Sequence, residues 1–195
     1  MLKNSNRCRC GLDKLKIKIV KKGLDESIPL CLYGACSIKH MVTTMIVKEG
    51  EIKKYLGDYI GGGCSRSVFT HNVNPSLIIK EAKFHGFGNL REYKYFWNCK
   101  VEISELLCPV HAISENWKYL VMPKCKTIKS CIDDFDYDEI CGGLASKLKS
   151  LKSNLWDVEF HNIGFYQGKC VLFDYESIRE EGMEEIFGGE WRKYC

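Results

Sequence analysis

The stretch KYLGDYIGGGCSRSVFTHNVNPSLIIKEAKF, residues 54–84, holds the pattern that decides the fold. Three short runs of apolar and β-branched residues are separated by a triple glycine at 61–63 and by Asn74-Pro75. Glycines and Asn-Pro mark turns, and runs of this kind bounded by turns are typical of strands. The stretch therefore predicts three consecutive strands, with a glycine-rich turn between the first two.

One helix and two more strands are predicted to follow. Residues 89–101 carry apolar side chains at helical spacing, and Asn89 is suited to cap that helix. The runs at 107–114 and 117–125 predict strands. The order of three strands, a helix and two strands predicts an α+β protein.

The C-terminal part is predicted to contain two helices and a short hairpin. Residues 133–154 predict a helix in their second half, because leucines recur there at helical spacing. Two strands are expected at 157–165 and 168–176, joined by a tight turn at Gln167-Gly168. Residues 177–195 predict a helix followed by a loop.

The N-terminal 50 residues are read as an extension that is partly strand. Residues 15–20, LKIKIV, alternate apolar and basic side chains. This alternation favours a half-exposed strand, with a basic interaction face as the alternative. Residues 28–48 hold two apolar stretches, and the second, MVTTMIV at 41–47, predicts a strand.

Composition indicates a soluble globular protein. Apolar residues make up 45% of the 195 and charged residues 28%. The net charge of +4 permits an anionic ligand but does not favour nucleic acid. No apolar run approaches the roughly 20 residues of a membrane helix, and no secretory signal opens the chain. We therefore expect a cytoplasmic protein, of a bacterium or of a host cell, without a membrane partner.

The twelve cysteines are expected to be mostly free thiols that pack as small apolar residues. The close spacings are confined to the N-terminal part, at Cys8, Cys10, Cys31 and Cys36. Four sulfurs could hold zinc, but the chain has no C-x-x-C pair, so the spacing favours free thiols.

The most specific motif lies in WDVEFHNIGFYQGKCVLFDYE, residues 156–176. Asp157 is followed five residues later by Asn162, and Asp174 ends an apolar run twelve residues beyond Asn162. Three polar residues around a short apolar hairpin are costly to bury unless a cation or ligand satisfies them. The alternative is that Asp and Asn simply mark hairpin ends.

Taken together, residues 55–177 resemble the protein-kinase-like superfamily, most closely its compact bacterial and phage members. The loop from Ile60 to Val68 is similar to the family's L-G-x-G-x-x-G-x-V, with Arg66 where the third glycine would stand. Lys80 ends an apolar strand as the lysine of V-A-I-K does. Asp157 with Asn162 matches H-R-D-x-x-x-x-N, and Asp174 matches the aspartate of D-F-G.

The resemblance implies the fold and the cofactors. It implies an antiparallel five-stranded N-lobe with one helix at 51–125, after the N-terminal extension at 1–50. A truncated, mostly helical C-lobe that carries the catalytic loop would follow at 126–195. The nucleotide would be ATP, and the cofactor Mg²⁺.

The resemblance also implies roles for individual residues. Lys80, oriented by Glu92, would contact the α- and β-phosphates, and Asp157 would accept the proton of the attacking hydroxyl. Asn162 and Asp174 would ligate Mg²⁺. The residues expected to bind the nucleotide are Gly61, Gly62, Gly63, Cys64, Ser65, Arg66, Val68, Lys80, Met122 and Lys124.

Departures from the family pattern leave several hypotheses open. Leu155-Trp156 replaces the H-R dipeptide, Glu176 replaces the glycine of D-F-G, and the C-lobe is short. The chain is either a phosphotransferase acting on a protein or small-molecule hydroxyl, or a catalytically weak pseudokinase-type module that binds a nucleotide or a protein. An unrelated α+β protein is the third hypothesis. An exposed apolar surface on the C-lobe would predict a homodimer.

Overall fold

The computed structural model describes residues 45–128, 137–189 and 192. All of them belong to one unit, Thr43–Cys195. The strand predicted at 15–20, most of the apolar region at 28–48 and the four closely spaced cysteines lie outside the described residues.

The described residues contain nine strands and five α-helices. The strands are β1 (Ile46–Val47), β2 (Leu56–Gly62), β3 (Arg66–His71), β4 (Leu77–Ala82), β5 (Ala112–Ser114), β6 (Tyr119–Pro123), β7 (Lys126–Thr127), β8 (Ile163–Tyr166) and β9 (Lys169–Leu172). The helices are α1 (Glu49–Lys53), α2 (Phe87–Asn98), α3 (Val101–Ser104), α4 (Tyr137–Ser150) and α5 (Glu180–Phe187). The predicted α+β class is confirmed. No helix in these described ranges is long and apolar enough to cross a membrane.

Strands β1 to β6 form one mixed sheet in the order β1-β5-β6-β4-β3-β2. Five of the strands pair antiparallel with their neighbours, while β1 runs parallel to β5, with Ile46 opposite Ile113. The expected N-lobe of five antiparallel strands and one helix is therefore wrong by one strand, β1, and by two short helices, α1 and α3. Strand β1 lies within the stretch 41–47 for which the sequence predicts a strand; its place in the sheet beside β5 was not predicted. The boundary predicted at residue 50 falls inside α1.

The two faces of this sheet pack in separate hydrophobic clusters because side chains alternate along a strand. On β4, Ile79 belongs to a cluster that includes Ile52 of α1. Ile78 belongs to the main core, which joins residues from α2 and α4. Each fully buried Ile or Leu contributes about 1.5–3 kcal/mol. Lys80 lies on β4 at the same alternation as Ile78, so its side chain leaves the sheet toward α2.

Helix α2 differs from its prediction at both ends. It begins at Phe87, so Asn89 is inside the helix and is not its cap. Asn89 is fully buried, and its Nδ2 donates to the carbonyls of Lys80, Trp117 and Lys118. The helix ends at Asn98 rather than at residue 101, because Cys99 and Lys100 are extended and the separate helix α3 follows.

A three-stranded antiparallel sheet, β7-β8-β9, forms the centre of the C-terminal part. The tight turn predicted at Gln167-Gly168 is confirmed, with φ values of 51° and 77°. Two positive φ angles in sequence are typical of the turn whose twist matches a hairpin. This small sheet is bonded to the segment between α3 and β5, because the carbonyl of Leu172 accepts the backbone N–H of Cys108 at 2.8 Å.

Helices α4 and α5 complete this part. The helix predicted in the second half of 133–154 is confirmed as α4, and its Leu144 and Leu148 are buried in the main core. The helix predicted near the C-terminus is confirmed as α5. Helical segments thus flank the small sheet on both sides in sequence.

Candidate functional site

A buried ion pair joins β4 to α2. Lys80 is 3% exposed and Glu92 is fully buried. The Lys80 Nζ donates to both Glu92 carboxylate oxygens at 2.9 Å. The same Nζ donates to the carbonyl of Phe173 at 2.7 Å. One ammonium group therefore connects the large sheet, the helix and the segment that leads into Asp174.

Glu92 collects donors from three parts of the chain. Besides Lys80, it accepts the backbone N–H of Tyr175 at 2.9 Å, and the Nη1 of Arg66 lies 3.0 Å from its Oε2. Burial raises the pKa of Glu92, and the positive charges of Arg66 and Lys80 counteract that effect. A carboxylate with this many donors fixes the relative positions of β3, β4 and the Asp174 segment.

Arg66 lies at the start of β3 and is only 4% exposed. Its Nη2 donates to Oδ1 of Asp174 and lies 3.4 Å from Oε1 of Glu176. Burial alone would lower the pKa of Arg66, but Glu92, Asp174 and Glu176 raise it above its ordinary value. The guanidinium is therefore charged and is held among three carboxylates.

Asp174 follows the end of β9, and its side chain is 35% exposed. Burial would raise its pKa, but the charges of Lys80 and Arg66 outweigh burial and hold the pKa well below its usual range. Asp174 is thus ionised at neutral pH and retains partial access to solvent.

Asp157 and Asn162 contact each other on the segment before β8. The Asn162 Nδ2 donates to the carbonyl of Asp157 at 3.2 Å and to its Oδ2 at 3.1 Å. Asn162 is buried, whereas Asp157 is partly exposed. The carbonyl of Asn162 accepts the backbone N–H of Phe173 at 2.8 Å, which brings this pair beside the Asp174 segment.

The sequence-predicted polar residues are therefore joined by a continuous set of contacts. Lys80 and Glu92 bond directly, and both touch the backbone on either side of Asp174, at Phe173 and Tyr175. No group of three or more His, Cys, Asp or Glu side chains among the described residues is arranged to hold a metal. The oxygen atoms proposed as cation ligands belong to Asp174 and Asn162. Both hydrogen bonds described for the Asn162 side-chain amide use its nitrogen and not its oxygen.

The three loop glycines differ in their surroundings. A Cβ on Gly62 would lie 2.6 Å from the carbonyl oxygen of Arg66, so the hairpin itself needs glycine there. A Cβ on Gly61 or Gly63 would meet no described atom within 4 Å. Space beside these two glycines is therefore open, while Cys64 and Ser65 are exposed at the tip.

The remaining predicted nucleotide-binding residues lie on β3 and at the end of β6. Val68 packs against the main core. Met122 is fully buried and pairs with Ile78 in the sheet. Lys124 is exposed, and its backbone N–H donates to the carbonyl of Ser76 at 2.8 Å, so that N–H is already engaged.

Two residues of the site were not expected from the sequence. Tyr175 is buried, and its hydroxyl donates to the carbonyl of Cys108 at 2.8 Å. Glu176 accepts the hydroxyl of Ser65 at 2.9 Å and lies beside Arg66. The signal that could have found Glu176 was present: an unexplained arginine in the loop and an unexplained glutamate after Asp174 are complementary charges.

The described cysteines are free thiols, and most are shielded from solvent. Cys108 is buried, and its Sγ lies 3.2 Å from that of the partly buried Cys125. Cys64 is the exposed one among the described cysteines.

Comparison with known proteins adds little to this geometry. No family model matches the sequence, and none of the curated proteins matches it. Among solved structures, the chain is similar to the crystal structure of Cex1p, with 16% identity and a TM-score of 0.43. The match covers 82% of this chain and 32% of that one, so the chain spans about a third of its length.

Proposed function

We propose that this chain has a protein-kinase-like fold and transfers the γ-phosphoryl group of ATP to a hydroxyl on a protein or small molecule. The observation that carries the proposal is the position of Lys80. Its Nζ bonds the Glu92 carboxylate on α2 and the carbonyl of Phe173, the residue before Asp174. A lysine held in this way is positioned for phosphate and lies beside an acid suited to a divalent cation.

The order of elements supports the same conclusion. Two strands with a glycine-rich turn between them are followed by a third strand, β4, that contains Lys80, then by helix α2 with Glu92, the short helix α3 and two more strands. The open space beside Gly61 and Gly63 would let a phosphate approach the loop backbone, and the N–H of Gly63 already donates to the carbonyl of Arg66 at 3.0 Å.

The donor set fits Mg²⁺. Asp174 is ionised and partly exposed, and Asn162 lies close to the Asp174 segment. Mg²⁺ prefers oxygen ligands and is commonly held by one or two carboxylates together with substrate phosphates. When bound, it would neutralise charge on the phosphates.

Asp157 is the group that would take the proton. In the reaction the acceptor oxygen bonds to the γ-phosphorus, the bond from phosphorus to the bridging oxygen breaks, and the hydroxyl proton passes to the Asp157 carboxylate. Asn162 orients that carboxylate through its Nδ2. Partial exposure of Asp157 leaves room for an acceptor.

A pseudokinase-type module is the second candidate, favoured by one observation. Arg66 already donates to Oδ1 of Asp174, on the carboxylate where the cation would bind. In that case the nucleotide or a protein partner would bind without phosphoryl transfer.

The test measures thermal stabilisation by ATP with Mg²⁺ and with EDTA. ATP at a hundredfold excess over Kd should add about 2.7 kcal/mol of stability. Asp174→Asn should lose the part that depends on Mg²⁺, whereas Asp58→Asn, an exposed carboxylate on β2, should not. Stabilisation in neither condition would end the phosphotransferase and the nucleotide-binding form of the module, and would leave its protein-binding form.

Turnover separates the two candidates. Release of ADP or autophosphorylation should fall by 10²- to 10⁴-fold in Asp157→Asn, while ATP binding persists. ATP binding by the wild type without any turnover would favour the pseudokinase-type module.

A further inference from the structure

The starting observation is that Arg66 is a buried cation shared by three acids. Its guanidinium bonds Asp174, lies 3.0 Å from Glu92 and lies 3.4 Å from Glu176. With Lys80 on Glu92, the cluster holds two positive and three negative groups, which leaves one negative charge in excess. Asp174 and Glu176 are both partly exposed, so an additional cation could reach this excess negative charge.

Glu176 is held in place from two sides. The hydroxyl of Ser65 donates to its Oε1 at 2.9 Å. On the other side, a Cβ on Gly88 would lie 1.8 Å from its Oε2, so the carboxylate packs where α2 has no side chain. The loop dipeptide Ser65-Arg66 and the acid after Asp174 are thus in direct contact, although 111 residues separate Ser65 from Glu176.

We propose that Arg66 is a built-in counter-ion that competes with a divalent cation for Asp174, and that Glu176 holds Arg66 in that position. The inference rests on the proposed function in one respect, that Asp174 is a cation ligand. A guanidinium and a divalent cation both need the oxygen lone pairs of the same carboxylate. Each therefore weakens the binding of the other.

The three acids around Arg66 also allow a cation to replace it at Asp174 without leaving the guanidinium unpaired. When Arg66 releases Asp174, it keeps Glu92 and Glu176 as partners. The loop that carries Arg66 thus remains attached to the site, and entry of the cation costs one contact out of three. Arg66 is a positioning residue that sets the dependence of nucleotide binding on the cation.

The readout is the ratio of two dissociation constants, that for ATP in EDTA divided by that for ATP in excess Mg²⁺, each from calorimetry. Arg66→Met should raise this ratio about tenfold, because the cation no longer competes with a positive charge. Arg66→Lys should restore most of the wild-type ratio.

A second variant leaves every charge in place. Gly88→Ala should displace the Glu176 carboxylate from Ser65 and Arg66 and raise the ratio about threefold. Gly143→Ala, where the added Cβ meets no described atom within 4 Å, is the matched control and should leave the ratio unchanged. If Arg66→Met does not fold, as circular dichroism would reveal, the Gly88→Ala result decides alone.

The outcomes separate this inference from the proposed function. Wild type that binds Mg²⁺-ATP, with the same ratio in Arg66→Met and Gly88→Ala, would overturn the inference alone. Wild type that binds no ATP would overturn the proposed function. A direct test of the competition measures Mn²⁺ binding in the absence of nucleotide by electron paramagnetic resonance. Tighter Mn²⁺ binding by Arg66→Met than by the wild type supports the competition, and equal binding overturns it.

Discussion

Lys80 and Glu92 form a buried ion pair in which the ammonium nitrogen lies 2.9 Å from each of the two carboxylate oxygens. Charges in such a place have lost their hydration and depend on each other. The pair therefore acts on stability as well as on the proposed nucleotide site, and the two effects can be separated experimentally.

Removing the lysine should be costly. Lys80→Met leaves Glu92 buried with Arg66 as its remaining charged partner, and we expect the free energy of unfolding to fall by about 3 kcal/mol. Urea denaturation measures this change. Lys118→Met breaks the more exposed pair with Glu81 at 3.6 Å and should cost less than about 1 kcal/mol.

The double variant gives an independent check. Lys80→Met combined with Glu92→Gln should cost clearly less than the sum of the two single changes, because the second change removes the buried charge that Lys80 had compensated. Additive costs, or a Lys80→Met cost no larger than that of Lys118→Met, would contradict the buried-pair account.

Asn89 offers a second stability test. Its amide nitrogen is the donor for three backbone carbonyls, so Asn89→Asp would place an acceptor against acceptors inside the protein. We expect a loss of about 2–4 kcal/mol in urea denaturation. Asn98→Asp, at the exposed end of the same helix, should cost less than about 1 kcal/mol. Asn98 donates to one exposed carbonyl, that of Lys94, so equal costs at the two positions would show that the three buried contacts of Asn89 contribute no more than that one bond.

Asn89 also shows where reading the sequence reaches its limit. Local pattern was enough for the strands around the triple glycine, for the leucine-bearing helix and for the hairpin turn at Gln167-Gly168. Each of these features is determined by residues that are close together in the sequence. The role of Asn89 depends on carbonyls at Trp117 and Lys118, 28 and 29 residues away, and helical spacing alone favoured a cap.

The same limit applies to the site. The residue types at Lys80, Glu92 and Asp174 indicated phosphate and cation chemistry, and the structure brings these three close together. The charges of Arg66 and Glu176 suggested one pair, but the contacts of Arg66 with Glu92 and Asp174 could not be chosen from sequence, since only the folded chain selects among the many acids. Ile46 lies in the strand predicted at 41–47, but the parallel pairing of that strand with β5 depends on a distant partner, Ile113.

His111 predicts how stability changes with pH. Burial lowers its pKa from 6.5 to about 4. Between these values the unfolded chain binds a proton that the folded protein does not, so the free energy of unfolding falls as pH falls. From pH 7.5 to pH 5 this loss amounts to about 2 kcal/mol.

Paired urea titrations at pH 7.5 and pH 5 test this expectation. His111→Gln should be less sensitive to the pH change by that amount, whereas His85→Gln, at an exposed position, should behave like the wild type. His111→Gln keeps every other titratable group of the wild type, so a difference in pH sensitivity between these two proteins is due to His111. Identical pH sensitivity in His111→Gln and wild type would contradict the lowered pKa of His111.

Replacing glycine by alanine should change the free energy of unfolding in opposite directions at two positions. Gly168 has φ of 77°, a conformation that costs an L-residue about 1–2 kcal/mol, so Gly168→Ala should destabilise the protein by that amount. Gly143 lies within α4, with no described atom near the position of an added Cβ, so Gly143→Ala should stabilise it by about 0.5–1 kcal/mol. Urea denaturation of both variants beside the wild type measures the two changes. A Gly168→Ala protein as stable as Gly143→Ala would mean that the turn does not need its positive φ, and that the hairpin between Asn162 and Asp174 is held by its strands alone.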